Sequence, residues 1–423
     1  MMKHLLHGKL HFPSSLAFVR EGRMAGCLFI AESGLPFDGA PKGGVVSCIT
    51  PGGAREIVLR NLREPVNGLL WHQDSLIISE GGRPGRISRL FPDSGKLQVL
   101  QDNLPGHGNY QTNMAVAGPD GKLYFSQGAL TNSGMIGHDS LQMAWLREIE
   151  HAADIPGMEI VLRDVVRQAR DNQGRVWESG AFSRLGERHA PGARLAAQLP
   201  CTSSVMRMNL DGSELELVAW GLRNAYGLLF LPDGRLLATD QGADVRGVRP
   251  VYGCPDFLYE VKAGAWYGFP DFYGGKPISA YAAPDGTQQE FLLANHAELP
   301  PPQTPLTAFE INACAVKMAQ IPAGLPYAGD LLVAQFGDER PWTAPGAGQA
   351  GRNLVRVSLH DWQVHSLPDL GLQRPLDLAF GPDGLLYVVD FGEFEFRPDF
   401  SFAARAGSGA VWRIDPAFLE HSA

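Results

Sequence analysis

Leu222-Arg-Asn-Ala-Tyr-Gly-Leu-Leu-Phe-Leu-Pro-Asp-Gly-Arg-Leu-Leu-Ala-Thr-Asp-Gln-Gly242 and Gln373-Arg-Pro-Leu-Asp-Leu-Ala-Phe-Gly-Pro-Asp-Gly-Leu-Leu-Tyr-Val-Val-Asp-Phe-Gly392 are two copies of one unit. Each has a polar lead-in, a short apolar strand, a Pro-Asp-Gly turn, and a second apolar strand that ends on a polar residue and glycine. A third copy runs from Thr112 to Gly128 through Gly118-Pro-Asp-Gly121. In all three, proline sets φ and glycine accepts φ > 0, which is what a tight hairpin asks of its turn. Weaker copies lie at Pro13 to Gly34, Pro65 to Gly81 and Asn312 to Gly337, with other turns but the same flanking strands.

Each unit is followed by an alternating segment that reads as the outer hairpin: Gly44 to Thr50, Gly85 to Phe91, Ser204 to Asn209, Asp256 to Lys262, Asn353 to Leu359 and Ala410 to Asp415. Repeats of this length, each carrying several short strands, are the signature of a propeller. A β-sandwich, or two unrelated β domains, explains the alternation but not the paired recurrence. The sequence therefore predicts an all-β fold, a six-bladed β-propeller spanning residues 1–423 as one domain. Val411-Trp-Arg-Ile414 has no lead-in after it, so it is expected to close the ring by pairing with Gly8 to Phe12.

Blade spacing is uneven. About 129–200 forms a partly helical or irregular insertion between the third and fourth inner-strand repeats, with His138-Asp139 and an amphipathic stretch from Leu141 to Ala153. Too long for an inert turn, it is expected to form a lid or rim. A second insertion, about 274–307, is rich in Pro and Ala and includes His296.

Composition removes several classes of function. The net charge is −9 with 36 Lys plus Arg spread along the chain, which leaves no basic stripe for phosphates and argues against a nucleic-acid partner. No apolar run approaches the roughly 20 residues needed to span a bilayer, and Met1 to Pro13 lacks a secretory pattern. The sequence as it stands reads as cytoplasmic, or as periplasmic if a leader has been removed. The five cysteines stand singly with no CxxC pair, so free thiols are expected.

In a propeller, residues at corresponding ends of the inner strands collect around the central axis. The lead-ins offer Asn67, Asn113, Arg223 with Asn224, Asn312, and Arg374 with Asp377. The opposite strand ends offer Glu32, Glu80, Gln127, Asp240 with Gln241, Gln335 and Asp390. Carboxylates and amide oxygens suit a hard divalent cation, and arginines suit a carboxylated ligand. Turn chemistry alone also accounts for many Asn and Asp at strand ends.

Gly221-Leu-Arg-Asn224, Gln241-Gly242, and Asp256 to Pro270 with its Gly264-Ala-Trp-Tyr-Gly-Phe-Pro270 run resemble the glucose and sorbosone dehydrogenases. These are soluble propellers that hold pyrroloquinoline quinone (PQQ) above a calcium ion. Leu331-Leu-Val-Ala-Gln-Phe-Gly337 and the Arg374 repeat resemble the same family. The resemblance implies an oxidoreductase acting on a sugar or polyol. It implies PQQ contacts from Arg223, Asn224, Gln241, Gly242 and Arg374, and calcium held by the Gly242 and Ala243 carbonyls near Asp240. The family's base histidine counts to Tyr110, with His107 three residues earlier as the alternative. The family's lysine counts to Phe336, and its second sixth-repeat arginine to Leu376. Two other readings stand beside this one. A metal-dependent lactonase or hydrolase would gather Glu32 or Glu80 with Asn113, Asn224 and Asp240 on one ion. A non-catalytic binding propeller would keep only the cavity.

Overall fold

The computed structural model describes residues 3–106, 108–142, 152–171, 173–338, 350–397 and 401–421. Six four-stranded antiparallel sheets form a six-bladed propeller. From the axis outward, blade 1 is Pro13–Phe18, Leu28–Glu32, Gly44–Ile49 and Arg55–Leu62. Blade 2 is Val66–His72, Ser75–Glu80, Gly85–Phe91 and Lys96–Leu104, and blade 3 is Thr112–Ala117, Leu123–Gln127, Ser204–Met208 and Glu216–Trp220. Blade 4 is Ala225–Phe230, Leu236–Asp240, Phe257–Val261 and Thr307–Ala308, and blade 5 is Ala315–Gln320, Leu331–Gln335, Asn353–Val357 and Val364–Ser366. Blade 6 is Pro375–Phe380, Leu386–Asp390, Gly409–Ile414 and, from the other end of the chain, Lys3–Leu10.

The ring closes where the sequence places it, with a corrected partner. Lys3 pairs with Ile414 and Leu10 with Gly409, so the closing strand starts at Lys3 rather than Gly8. This edge strand is mostly solvated, with Leu5 at 56% exposure, and it therefore carries little of the apolar signal that marks a strand in sequence.

The Pro-Asp-Gly turns are hairpin ends, with Gly121, Gly234 and Gly384 at φ +79, +89 and +77. Blade interiors are apolar on both faces because each sheet is covered by its two neighbours, so the second strands, such as Leu236–Asp240 and Leu386–Asp390, are buried throughout. Near the axis the inner strands approach closely enough to require glycine. A Cβ on Gly227 would lie 2.4 Å from the Val316 carbonyl oxygen of the next blade.

All six inner strands are bulged at the same point. Pairing with the second strand slips between Pro13 and Ser15, Val66 and Gly68, Thr112 and Ala115, Ala225 and Gly227, Ala315 and Met318, and Pro375 and Asp377. A bulge re-aims a side chain. Here it turns Ser14, Asn67, Asn113, Tyr226, Val316 and Leu376 into the central cavity as a ring.

Both insertions leave the chain inside a blade, the first between the second and third strands of blade 3 and the second between the third and fourth strands of blade 4. The first contains the short helix His138–Gln142 and the pairs Ile160–Val161 with Arg194–Leu195 and Val166–Arg170 with Val176–Gly180. Most of the expected amphipathic stretch, 143–151, lies outside the described residues. Among the described residues no helix is long and apolar enough to cross a membrane. All five cysteines are free, four of them buried.

Candidate functional site

The central funnel opens at the face where inner strands begin and second strands end, and encloses a cavity of about 400 Å³. A small side pocket shares Tyr110, Gln241 and Cys314 with it and adds Arg223, Gly242, Asp244 and Asp256. Of the residues singled out in the sequence, Asn67, Tyr110, Asn113, Asn224, Gln241, Phe336 and Leu376 line the funnel, and Arg223, Gly242 and Asn312 line the side pocket. His107 lies outside the described residues.

Arg223 is buried, and its guanidinium is fully engaged. Nε donates to the Asn132 carbonyl at 3.0 Å, and Nη2 to Asn132 Oδ1 at 2.7 Å, Asp244 Oδ2 at 2.6 Å and the Tyr110 hydroxyl. Its Nη1 donates to the carbonyls of Gly242 and Gln241. Burial works against its charge, but Tyr110 and Asp244 reverse the balance and hold the guanidinium protonated. Arg246, four residues beyond Gly242, approaches the same phenol, donating to the Tyr110 hydroxyl at 2.6 Å, to Asp244 at 2.9 Å and to Asp139 at 2.8 Å. Tyr110 donates to Asp244 at 3.0 Å. Burial disfavours an ionised Asp244, yet the two guanidiniums outweigh it and keep the carboxyl below its usual range. A row of amides runs on from this cluster. Asn113 donates to Asn224 at 2.9 Å, Asn224 to Gln241 at 2.7 Å, and Gln241 to the Cys314 sulfur at 3.0 Å.

The other expected residues stand elsewhere. Arg374 is buried behind Phe336, with its guanidinium 5.0 Å from that ring. It donates to the carbonyls of Asp338 at 2.8 Å and Phe394 at 3.0 Å and to Glu395 at 3.1 Å, and lines a separate cleft. Asp240 lies behind the wall, where its carboxylate accepts the Asn224 N–H at 2.7 Å and the Arg223 N–H at 3.3 Å. Burial pushes that carboxyl up to about 7. Asp390, Glu80 and Glu32 do the same for the N–H groups of Arg374, Arg63 and His11, so this set ties lead-in loops to blades. Glu32 and Glu80 also pair with Arg55 and Arg86, and none of these four residues lines the funnel. The acidic set of a metal-dependent hydrolase therefore does not converge. Among the described residues no group of three or more His, Cys, Asp or Glu could hold a metal.

Sequence reasoning missed Asn132, Asp244 and Arg246, and named Asp139 only as part of the expected rim, without a place in the site. The available signal was Asp244-Val-Arg246, a charged pair immediately downstream of Asp240-Gln241-Gly242. Asn132 and Asp139 come from the first insertion, which thus supports the site's wall.

No protein-family model and no curated protein matches the sequence. Solved structures do match, along nearly the whole chain. One is a putative oxidoreductase (glucose dehydrogenase) from Thermus thermophilus, at 17% identity and TM-score 0.57, covering 97% of this chain and 99% of that one. The chain shares the fold of the soluble sugar dehydrogenases. The apo soluble aldose sugar dehydrogenase of Escherichia coli matches at 14% identity and TM-score 0.57, over 98% and 99% of the two chains. The PQQ-bound aldose sugar dehydrogenase of Streptomyces coelicolor matches at 14% and 0.54, over 97% of each.

The residues present do not fit the quinone and calcium that the sequence resemblance implies. PQQ is a tricarboxylate, and carboxylates buried without cations are costly. Here Phe336 and Leu376 line the funnel where the resemblance implies Lys and Arg, and Arg374 is turned away. The Gly242 carbonyl, the implied calcium ligand, accepts a hydrogen bond from Arg223, so a cationic group already stands there. Ala243 is buried.

Proposed function

We propose that the chain is an enzyme that moves a proton at a hydroxyl or carbonyl oxygen of a small molecule held in the funnel, with Tyr110 as the proton-transferring group. One observation carries this reading: Tyr110 lines the funnel, and its hydroxyl accepts from Arg223 and Arg246 and donates to Asp244. Arg223 and Arg246 donate to the phenolic oxygen and Asp244 orients the phenol's hydrogen, so the hydroxyl is held in place for proton transfer. The amide row at Asn113, Asn224 and Gln241 supplies hydrogen bonds that would orient a polar substrate.

The sugar-dehydrogenase form of this reading is oxidation of a sugar or polyol with PQQ as acceptor. It draws support from the fold of the solved neighbours and from the Arg223-Asn224 pair. The apolar side chains of Phe336 and Leu376 weigh against the quinone. A metal-dependent lactonase draws no support from Glu32 and Glu80, and a binding platform draws none from the Tyr110 cluster.

The test is a turnover screen of aldoses, alcohols, aldehydes and lactones, run with and without PQQ, calcium and a reducible dye, comparing the protein with Tyr110→Phe. Turnover that falls roughly 10²–10⁴-fold in the variant supports the reading. Turnover equal in the two proteins overturns it, as does ligand binding without turnover of any class.

A further inference from the structure

The ring of six bulged residues is divided. Ser14, Asn67 and Asn113, on blades 1 to 3, are polar, whereas Val316 and Leu376, on blades 5 and 6, are aliphatic, with Tyr226 between. The same division continues up the funnel. Above the polar arc stand Tyr110, Asn224, Gln241 and Arg246. Above the aliphatic arc stands a sheet of phenylalanines contributed by three separate stretches of chain. Phe336 meets Phe391 at 5.5 Å between ring centres, Phe391 meets Phe394 at 5.6 Å, Phe394 meets Phe402 at 5.2 Å, and Phe37 closes onto Phe402 at 5.0 Å. All five line the cavity. Rings aligned edge-to-face and offset in this way present a continuous apolar wall that favours another flat ring.

Charge on the facing wall sets the ligand's head group. Arg223 and Arg246 carry two positive charges, and Asp244 and Asp139, bonded to them at 2.6 to 2.9 Å, carry two negative ones. These four charges sum to zero, so among the described residues around Tyr110 an added carboxylate would find both cations already paired. Arg83, at the rim, is exposed, where water and salt screen its charge. The cluster's polar groups can instead exchange hydrogen bonds with a neutral oxygen.

We propose that the funnel binds a flat aromatic molecule bearing a neutral hydroxyl or carbonyl group, its ring against Phe336, Phe391 and Phe394 and its oxygen at Tyr110, Asn224 and Arg246. This names the substrate class for the site under Proposed function. It predicts binding whether or not Tyr110 performs chemistry.

The experiment is calorimetric titration of the full chain with four probes at matched concentration: 2-naphthalenemethanol, 2-naphthoate, glucose and PQQ with calcium. The alcohol is expected to bind, with naphthoate about tenfold or more weaker and with no heat from glucose or PQQ. Phe336→Ser and Phe394→Ser should each weaken the alcohol by about tenfold, with thermal unfolding confirming that the variants fold. Phe391→Leu, which keeps an apolar side chain, should weaken it less and serves as the check if the serine variants do not fold. Tighter binding of PQQ or naphthoate than of the alcohol overturns the proposal, as does an alcohol affinity indifferent to all three substitutions. Failure of the Tyr110→Phe turnover test leaves these affinities unchanged, so the two ideas fail separately.

Discussion

Lys317→Met should destabilise the whole propeller, because Lys317 belongs to a buried knot that joins four blades. Its ammonium donates to Asp377 Oδ2 at 2.8 Å and to the Ser14 carbonyl at 3.1 Å, and the pair is 1% and 10% exposed. Asp377 also accepts from Ser15 Oγ at 2.7 Å and Leu16 N at 3.1 Å, and Ser15 Oγ in turn accepts from Leu69 N at 3.0 Å. Blades 5, 6, 1 and 2 are thus linked through one carboxylate and one hydroxyl, across the seam where the chain's ends meet. Burial pulls the Lys317 pKa down and Asp377 opposes it, so the ammonium depends on its carboxylate partner. Removing one partner of such a pair costs about 3–5 kcal/mol, whereas replacing both with apolar groups costs far less. With an unfolding entropy of roughly 2.1 cal/mol/K per residue over 423 residues, that cost corresponds to a drop of ~3–6 °C in Tm. Calorimetry of Lys317→Met, Asp377→Leu and the double variant reads it directly. The double variant should lose much less than the sum of the singles. A Lys317→Met protein within about 1 kcal/mol of the parent, or a double variant at the full sum, would refute the claim that this pair holds the seam.

Other expectations follow from the same geometry. Asp154 is buried, and burial raises its pKa above 3.8 despite hydrogen bonds from Leu130 N, Thr131 and Thr202. The folded state therefore keeps a proton that the unfolded chain has released, and this group's contribution to stability falls as pH rises above 3.8. Urea midpoints of Asp154→Asn should accordingly gain on those of the parent as pH rises, and parallel curves would count against the assignment. Gly227→Ala places a Cβ 2.4 Å from the Val316 carbonyl oxygen and 2.8 Å from Thr239 Oγ1, so it should lower stability by roughly 1–3 kcal/mol, measured by denaturant titration. An unchanged midpoint would mean that the inner strands of blades 4 and 5 are not packed this closely.

Much of the fold was legible before any coordinates. Pro-Asp-Gly turns and paired apolar runs recur because every blade meets the same packing problem, and that regularity marks six inner hairpins and their third strands. The outermost strands were harder to see. Segments such as Arg55–Leu62 and Lys96–Leu104 are largely solvated, so burial imposes little pattern on them. The candidate site was legible in part: Tyr110, Asn224 and Gln241 line the funnel, while Arg246, Asp244, Asn132 and Asp139 join them from loops without a repeating signal.

What the amino-acid order determined by itself was local: period-two strands, glycines at positive φ, and a polar residue at the end of each second strand. Which side chains look into the funnel was decided by tertiary structure. One extra residue in each inner strand reverses the faces that follow it, and simple alternation carries no mark of such a slip. That is why Tyr226 and Leu376 occupy the ring, while Arg223 is spent on the carbonyls of Gln241 and Gly242 and Arg374 on those of Asp338 and Phe394.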